Sequence, residues 1–252
     1  MKMKFLLSII LIAAIFASCK KDGVITSGTL TVLIKDSTYD SNSTNSQVRT
    51  FLYNTSNQLI KVSYSSGGSS TAYKYDTLVY TSGKLHEVLN YDISGPTLTG
   101  TTIFNYTGNL ISSTDETGNN GSPYTLTRTY GYTNNKLDSF TTVYSVGSGG
   151  GGNPDNIDSI VYSGNDFSTA NLVGQGRVTL TFDAAPNPYY GLYLKGGDFI
   201  NLFNPNNIIT AYKTAVPSNI FELDTYEYVG GKVSRVHDLK NNTTNTLTYG
   251  DL

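Results

Sequence analysis

The most regular part of the chain is an alternation of large and small side chains with a period of two residues. Between positions 124 and 133, one set of alternate positions is mostly large: Tyr124, Leu126, Arg128, Tyr130 and Tyr132. The other set is mostly small and polar: Thr125, Thr127, Thr129 and Thr133. Successive side chains of a β-strand point to opposite faces, so this pattern predicts a strand with one face turned towards a core.

A short turn motif follows many of these alternating segments. An aromatic residue is followed by a turn rich in Asn or Gly, then by a polar and an apolar residue that open the next segment, as in Tyr132-Thr133-Asn134-Asn135-Lys136-Leu137. The leading tyrosines are Tyr53, Tyr80, Tyr106, Tyr132, Tyr162 and Tyr228. Because Asn and Gly tolerate positive φ, each instance predicts a tight β-hairpin.

The spacing of these hairpins predicts the architecture. The first five tyrosines lie 27, 26, 26 and 30 residues apart, which accommodates two strands and two turns. Propeller blades need about 40 to 45 residues, so the repeat fits a propeller poorly. We expect an all-β domain over 29–252: a long antiparallel meander of about a dozen or more strands, curled into an open or barrel-like sheet, with a strand from Thr29 to Lys35.

The repeat stops between Asp183 and Phe221, a segment that holds four of the seven prolines. Asp198 is placed to cap one short helix in the 198–204 region, which Pro205 would end. Two interpretations remain open. The segment covers the open end or one face of the sheet, or Tyr189, Tyr190 and Tyr193 form an aromatic platform for a ligand such as a glycan.

The N-terminus has the features of an export signal. Lys2 and Lys4 precede an apolar run that is too short to cross a bilayer, which needs ~20 residues. Phe16-Ala17-Ser18-Cys19 resembles the lipobox that lipoprotein signal peptidase cleaves before the cysteine. This resemblance implies a signal peptide over 1–18, lipid attachment on Cys19, a tether over 19–28 and an outer-membrane location. Whether the protein faces the periplasm or the cell surface stays open.

The hairpin unit resembles the YD repeat, in which an aromatic-Asp pair precedes a turn. Aromatic-Asp pairs occur as Tyr75-Asp76, Tyr91-Asp92 and Phe182-Asp183, although not at the turn tyrosines themselves. Together with the lipobox, these features resemble an uncharacterised YD-repeat-like family of outer-envelope lipoproteins of Bacteroidota. The resemblance implies a fold and a cellular address, and it implies no activity.

Charge and the chemistry of the side chains exclude several classes. Removal of the signal leaves 15 basic and 19 acidic residues, a net charge of −4 that argues against nucleic acid as a partner. His86 and His237 lack the spacing of a zinc site or a triad, so both are interpreted as solvent-facing strand positions. We expect no metal and no cofactor.

Some candidate sites remain. A hydrolase could use paired carboxylates, of which Asp155 with Asp158 and Glu222 with Asp224 are the nearest in the sequence. Three Asp-Ser/Thr motifs resemble the sites that are O-glycosylated on exported proteins of Bacteroidota, and they place the modification on Ser37, Thr77 and Ser159.

The sequence therefore predicts a cell-envelope lipoprotein that is not an enzyme and acts as a binding or scaffold module. Its expected partners are the membrane, through the lipid on Cys19, and a glycan or an envelope protein. Three alternatives remain: a glycan-binding accessory of a nutrient-uptake system, a hydrolase with paired carboxylates, and a purely structural assembly protein with a large exposed apolar patch.

Overall fold

A computed structural model describes residues 30–40, 47–93, 97–119, 123–146, 157–172, 176–192 and 205–252. Residues Thr31–Leu252 form one compact unit. Its elements are β-strands, and none of the described segments is a helix with the length and apolarity needed to cross a bilayer. The signal peptide, Cys19, the tether and the helix predicted for 198–204 lie outside the described residues.

Sixteen strands follow one another along the chain. Their bounds are β1 Thr31–Asp40, β2 Gln47–Tyr53, β3 Leu59–Ser66, β4 Ala72–Thr81, β5 Lys84–Asp92, β6 Thr97–Thr107, β7 Leu110–Asn119, β8 Pro123–Thr133, β9 Lys136–Val146, β10 Ile157–Ser163, β11 Asp166–Leu172, β12 Gly176–Pro186, β13 Asn206–Lys213, β14 Ile220–Val229, β15 Lys232–Asp238 and β16 Thr243–Asp251.

The strands form a closed antiparallel barrel in which each pairs with its neighbours in the sequence. The barrel closes where β1 pairs with β16, from Thr31 opposite Asp251 to Asp40 opposite Thr243. Closure pairs the first strand with the last, two strands that would be the edges of an open sheet. The predicted all-β meander is confirmed, and of the two predicted forms of the sheet the structure has the barrel.

The six turn motifs all form hairpins, at one end of the barrel that we call the turn end. They connect β2 to β3, β4 to β5, β6 to β7, β8 to β9, β10 to β11 and β14 to β15. Positive φ occurs where the motif predicts it, for example at Asn134 (52°) and Asn135 (62°). A β-bulge sits next to every leading tyrosine, such as that between Val79 and Tyr80. The opposite end is called the loop end.

Four of the leading tyrosines bind the backbone of the preceding hairpin or strand. The Tyr80 hydroxyl donates a hydrogen bond to the Leu59 carbonyl (3.1 Å), and the Tyr106 hydroxyl donates to that of Leu85 (2.8 Å). Tyr53 and Tyr162 make the same contact with Leu33 and Leu137. Each acceptor lies just after the turn of the preceding hairpin or, for Leu33, in β1, so the repeated tyrosine connects one hairpin to the element before it.

We expect Tyr80→Phe to lower the free energy of unfolding by about 1 kcal/mol, because it removes one hydroxyl hydrogen bond and keeps the ring. Urea denaturation followed by circular dichroism measures this difference. Tyr39→Phe is the matched control, because that tyrosine is 51% exposed and its loss should change stability by less than about 0.5 kcal/mol. Equal effects would contradict a role for the hydroxyl contact.

The inner face of the barrel contains the apolar core, in two clusters. One includes Phe51, Val62, Leu78, Val88 and Phe104, and the other includes Leu137, Phe140 and Phe167. Five of the leading tyrosines, all but Tyr228, pack against these clusters from the turn end. The apolar side of each alternating strand thus points inwards.

The outer face is mainly polar. On β8 the outward positions are the threonines of the alternating segment, and on β16 they are Thr244, Thr246 and Thr248. Outward apolar side chains such as Leu52, Val143 and Val229 lie among them, and Tyr75 and Tyr91 stack on the outer face with ring centroids 4.9 Å apart. The described outer face is therefore polar at most positions, with local apolar contacts.

The predicted interruption of the repeat was too long. Strand β12 continues to Pro186, and β13 begins at Asn206 and pairs with β12 with two register shifts. Strand β13 was not predicted from the sequence, because this strand lacks a leading tyrosine and an Asn-Gly turn. The strand predicted for Thr29–Lys35 begins at Thr31 and extends to Asp40, and Thr29 lies outside the described residues.

Candidate functional site inside the barrel

The inner face becomes polar towards the loop end. On β2 to β5 the apolar core residues are followed along the strands by Arg49, Tyr64, Asp76 and Asn90. On β7 to β9 they are followed by Thr114, Arg128 and Thr142, and then by Glu116, Leu126 and Tyr144. The barrel thus has a filled apolar half and a polar half.

Asp36 is the centre of the first polar cluster and is only 1% exposed. Arg49 binds its carboxylate with both ends of the guanidinium fork, through Nε (2.9 Å) and Nη2 (2.5 Å). The Tyr189 hydroxyl donates a third hydrogen bond (2.8 Å), and Arg49 also lies 5.3 Å from the centre of the Tyr189 ring. The carboxylate beside it raises the pKa of Arg49, so the guanidinium stays charged despite its burial.

Asp76 forms a second cluster beside the first. The Tyr64 hydroxyl donates a hydrogen bond to Asp76 Oδ2 (2.7 Å), and the Asn90 side-chain amide donates one to Oδ1 (2.6 Å). Burial, together with the Asp76 carboxylate, raises the pKa of Tyr64 far above its ordinary value. Both buried carboxylates have these partners within the protein, an arrangement that suits a structural role.

The buried tyrosines make the stability of the barrel dependent on pH in alkaline solution. Burial raises the pKa values of Tyr53, Tyr80 and Tyr162 from 10 to about 12. The unfolded chain releases these protons first, so the stabilisation is complete below pH 10 and is lost as the pH rises through about 12.

We therefore expect the melting temperature to fall steeply between pH 10 and about 12, with tyrosinate absorbance appearing at higher pH than in urea-unfolded protein. Absorbance at the tyrosinate band and circular dichroism, recorded in one titration, test this. Coincident titration curves for folded and unfolded protein would contradict it.

A third cluster, the β7–β9 wall, consists of Glu116, Tyr124, Leu126, Arg128 and Tyr144 on the inner face near the loop end. The Tyr124 hydroxyl donates to Glu116 Oε1 (2.8 Å), and Arg128 lies 3.9 Å from Glu116 Oε2. The Tyr124 and Tyr144 rings are 5.8 Å apart and tilted by 39°. Gly118 makes room for Tyr124, because a Cβ there would lie 2.6 Å from the ring.

His237 bridges two residues on the outer face. Its Nε2 is 2.8 Å from Glu227 Oε1, and its Nδ1 is 3.1 Å from the Thr244 hydroxyl. The hydrogen bond from His237 lowers the pKa of Glu227. This carboxylate, imidazole and hydroxyl have the order of a catalytic triad, but backbone donors for an oxyanion are tied up in the surrounding strand ladder, for example between Tyr226 and Val236. His86 is exposed, as predicted, whereas His237 is half-buried between its partners.

A small cavity lies where β9 and β10 separate. These strands share a single register pair, Ile157 with Phe140. Between them is a space of about 320 Å³ lined by Thr133, Asn134, Lys136, Leu137, Asp138, Ile160 and Tyr162. The Tyr162 hydroxyl and the Lys136 ammonium already bind carbonyl oxygens at its rim, those of Leu137 and Gly164.

The predicted aromatic platform is divided. Tyr189 packs against the core and binds Asp36, whereas Tyr190 is 41% exposed. Tyr193 lies outside the described residues. The contacts of Tyr189 and Leu192 with the core favour the interpretation that this segment covers the interior.

The remaining predicted residues are scattered. Ser37 is buried, Thr77 is half-buried and Ser159 is exposed, so the folded barrel presents Ser159 most readily for modification. Asp224 is buried, whereas the side chains of Asp158 and Glu222, and all of Asp155, lie outside the described part. Among the described residues no group of three or more His, Cys, Asp or Glu side chains could hold a metal ion.

Comparison with known proteins supports the fold. No protein-family model matches the chain, and no curated protein matches it. The crystal structure of a porin-like protein from Bacteroides uniformis is similar, with a TM-score of 0.54 and 14% sequence identity. The similarity covers 88% of this chain and 99% of the other. Because the sequence identity is low, the similarity shows a shared barrel fold and no shared function.

Proposed function

We propose that the chain is a lipid-anchored protein of the bacterial cell envelope, in which the barrel lies in water and acts as a non-enzymatic binding or scaffold module. The observation that carries this proposal is the polarity of the two faces. A barrel that spans a membrane needs an apolar band on its outer face and a polar interior. Here the core is inside and threonines cover much of the outside.

The likeness to a porin-like protein of Bacteroides fits an envelope address, and our proposal of a barrel without a channel rests on its interior. The apolar clusters occupy the inner face towards the turn end, where a channel would need a continuous polar path. Because the outward positions of the described strands are mainly polar, we assign attachment to the envelope to the lipid on Cys19.

The non-enzymatic part of the proposal rests on how the acidic groups are used. Asp36 and Asp76 are bound by Arg49, Tyr189, Tyr64 and Asn90, which fixes them in place. The triad-like Glu227, His237 and Thr244 lie on outward positions of adjacent strands, next to no described cavity. A general acid or a nucleophile needs a pocket that excludes water and orients a substrate.

The test compares the native chain with Cys19→Ala in cells supplied with radiolabelled palmitate. The native protein should incorporate label, pellet with membranes and have the intact mass of residues 19–252 plus lipid. The variant should take up no label. Label in both proteins, or an unlipidated native protein of full length, would contradict the proposal.

A further inference from the structure

We propose that the β7–β9 wall is a saccharide-binding site in the open, loop-end half of the barrel. The proposal deepens the proposed function and rests on it, since it names the ligand class of the binding module. It starts from Arg128, whose side chain lies on the inner face in the middle of β8 and is nevertheless 32% exposed. Water therefore reaches well down the inside of the barrel.

The guanidinium of Arg128 is available to a ligand. Its nearest anionic group is Glu116 Oε2 at 3.9 Å, and it donates no hydrogen bond to any of the described residues. A guanidinium carries five N–H donors in a planar fork. Its register neighbours on β7 and β9, Thr114 and Thr142, are buried on either side of it, whereas the Arg128 side chain itself is partly exposed to solvent.

The groups around Arg128 select the class of ligand. The carboxylate of Glu116 balances its charge, which disfavours a strongly anionic ligand, and polar groups line too much of the wall for a lipid chain. Tyr124, Leu126 and Tyr144 add partly exposed rings and an apolar side chain. Tyrosine rings accept the apolar face of a sugar, while a carboxylate and a guanidinium bind adjacent hydroxyls. This combination fits a neutral oligosaccharide.

The wall lies near the end of the barrel opposite to the one at which β1 begins. Strand β1 begins at the turn end, where the Tyr53 hydroxyl binds the Leu33 carbonyl. The turn end is thus the end at which the chain enters the barrel, and the wall lies towards the opposite end. Mouths of β-barrels are frequent ligand sites.

The chain offers a matched control for the test. Arg128 and Glu116 form an ion pair on the inner face, and Arg235 and Glu227 form a similar pair on the outer face at 3.3 Å. Full-length protein in detergent is titrated by calorimetry with neutral oligosaccharides: maltotriose, cellotriose, xylotriose and chitotriose. Arg128→Met and Glu116→Gln are compared with Arg235→Met and Glu227→Gln.

We expect at least one of these sugars to bind, with an affinity at least about tenfold weaker in each inner variant and unchanged in each outer one. Circular dichroism should show the same fold in all four variants. If no sugar binds, or if inner and outer variants lose affinity equally, the site is overturned. Membrane fractionation of the same proteins keeps the outcomes separate: anchoring without sugar binding defeats this inference alone, whereas loss of anchoring in the native protein defeats the proposed function.

Discussion

Asp36→Ala should lower the free energy of unfolding by about 3 to 5 kcal/mol, the largest effect of any single polar substitution in the barrel. The carboxylate is 1% exposed and accepts two hydrogen bonds from Arg49 and one from Tyr189. Its removal leaves a charged guanidinium in the interior without its counter-ion. It also releases Tyr189, the residue through which the segment after β12 is held to β1.

Urea denaturation at neutral pH, followed by circular dichroism, measures this loss. Asp115→Asn is the control, because Asp115 accepts hydrogen bonds from Asn105 and Thr127 on the outer face and the amide keeps an acceptor. We expect less than about 1 kcal/mol for the control. Similar losses for the two variants would show that Asp36 does not organise the interior.

Phe167→Ala should cost about 3 to 5 kcal/mol, because it removes a ring from the centre of the second apolar cluster. The side chain is 1% exposed and meets the Tyr162 ring edge to face, with centroids 5.1 Å apart. The loss should be larger than that of an average core residue, since β9 and β10 are joined by a single register pair and depend on this packing.

Two further variants make this result specific. Phe167→Leu keeps most of the volume and should cost less than about 1.5 kcal/mol. Val161→Ala removes an outward side chain of the adjacent strand and should cost less than about 0.5 kcal/mol. Thermal and urea unfolding of the three proteins give the order of their stabilities. If Val161→Ala lost as much stability as Phe167→Ala, the core would not lie on the inner face of the barrel.

Hairpins were the part of the fold that local sequence could reveal. Asn134-Asn135 and Ser82-Gly83 require positive φ, and this requirement is satisfied within four residues of chain. The inward face of β8 followed from alternation alone, since Tyr130 and Tyr132 differ so clearly from the threonines between them. What those tyrosines do was not visible, because the carbonyl that Tyr80 binds is 21 residues away.

Closure and the interior clusters depend on contacts between residues distant in the sequence. The pairing of Thr31 with Asp251 has no local signature. Arg49 and Asp36 are 13 residues apart and Tyr189 is 153 residues from Asp36, so no motif joins them. A leading tyrosine was the signal that located most hairpins, and β13 was missed where this signal fails.

The β7–β9 wall could not be predicted from sequence motifs either. Glu116 and Arg128 are diagonal neighbours on paired strands. They come close because β7 and β8 pair with Glu116 opposite Leu126 and Thr114 opposite Arg128. The one available hint was that Arg128 interrupts a run of inward aromatic and apolar positions. A charged residue on the core face of a strand requires either a partner or water. Arg128 lies 3.9 Å from the Glu116 carboxylate, and its side chain is 32% exposed.

We propose that the barrel lies in water and that lipid on Cys19 alone holds it to the envelope. The most direct measurement inserts a protease site into the tether, between residues 20 and 28, and treats isolated membranes with that protease. We expect cleavage to release the barrel into the aqueous supernatant without detergent, and the released protein should keep the circular dichroism spectrum of a β-sheet. A barrel that stays in the membrane pellet after complete cleavage, and after an alkaline wash below pH 10, would contradict it.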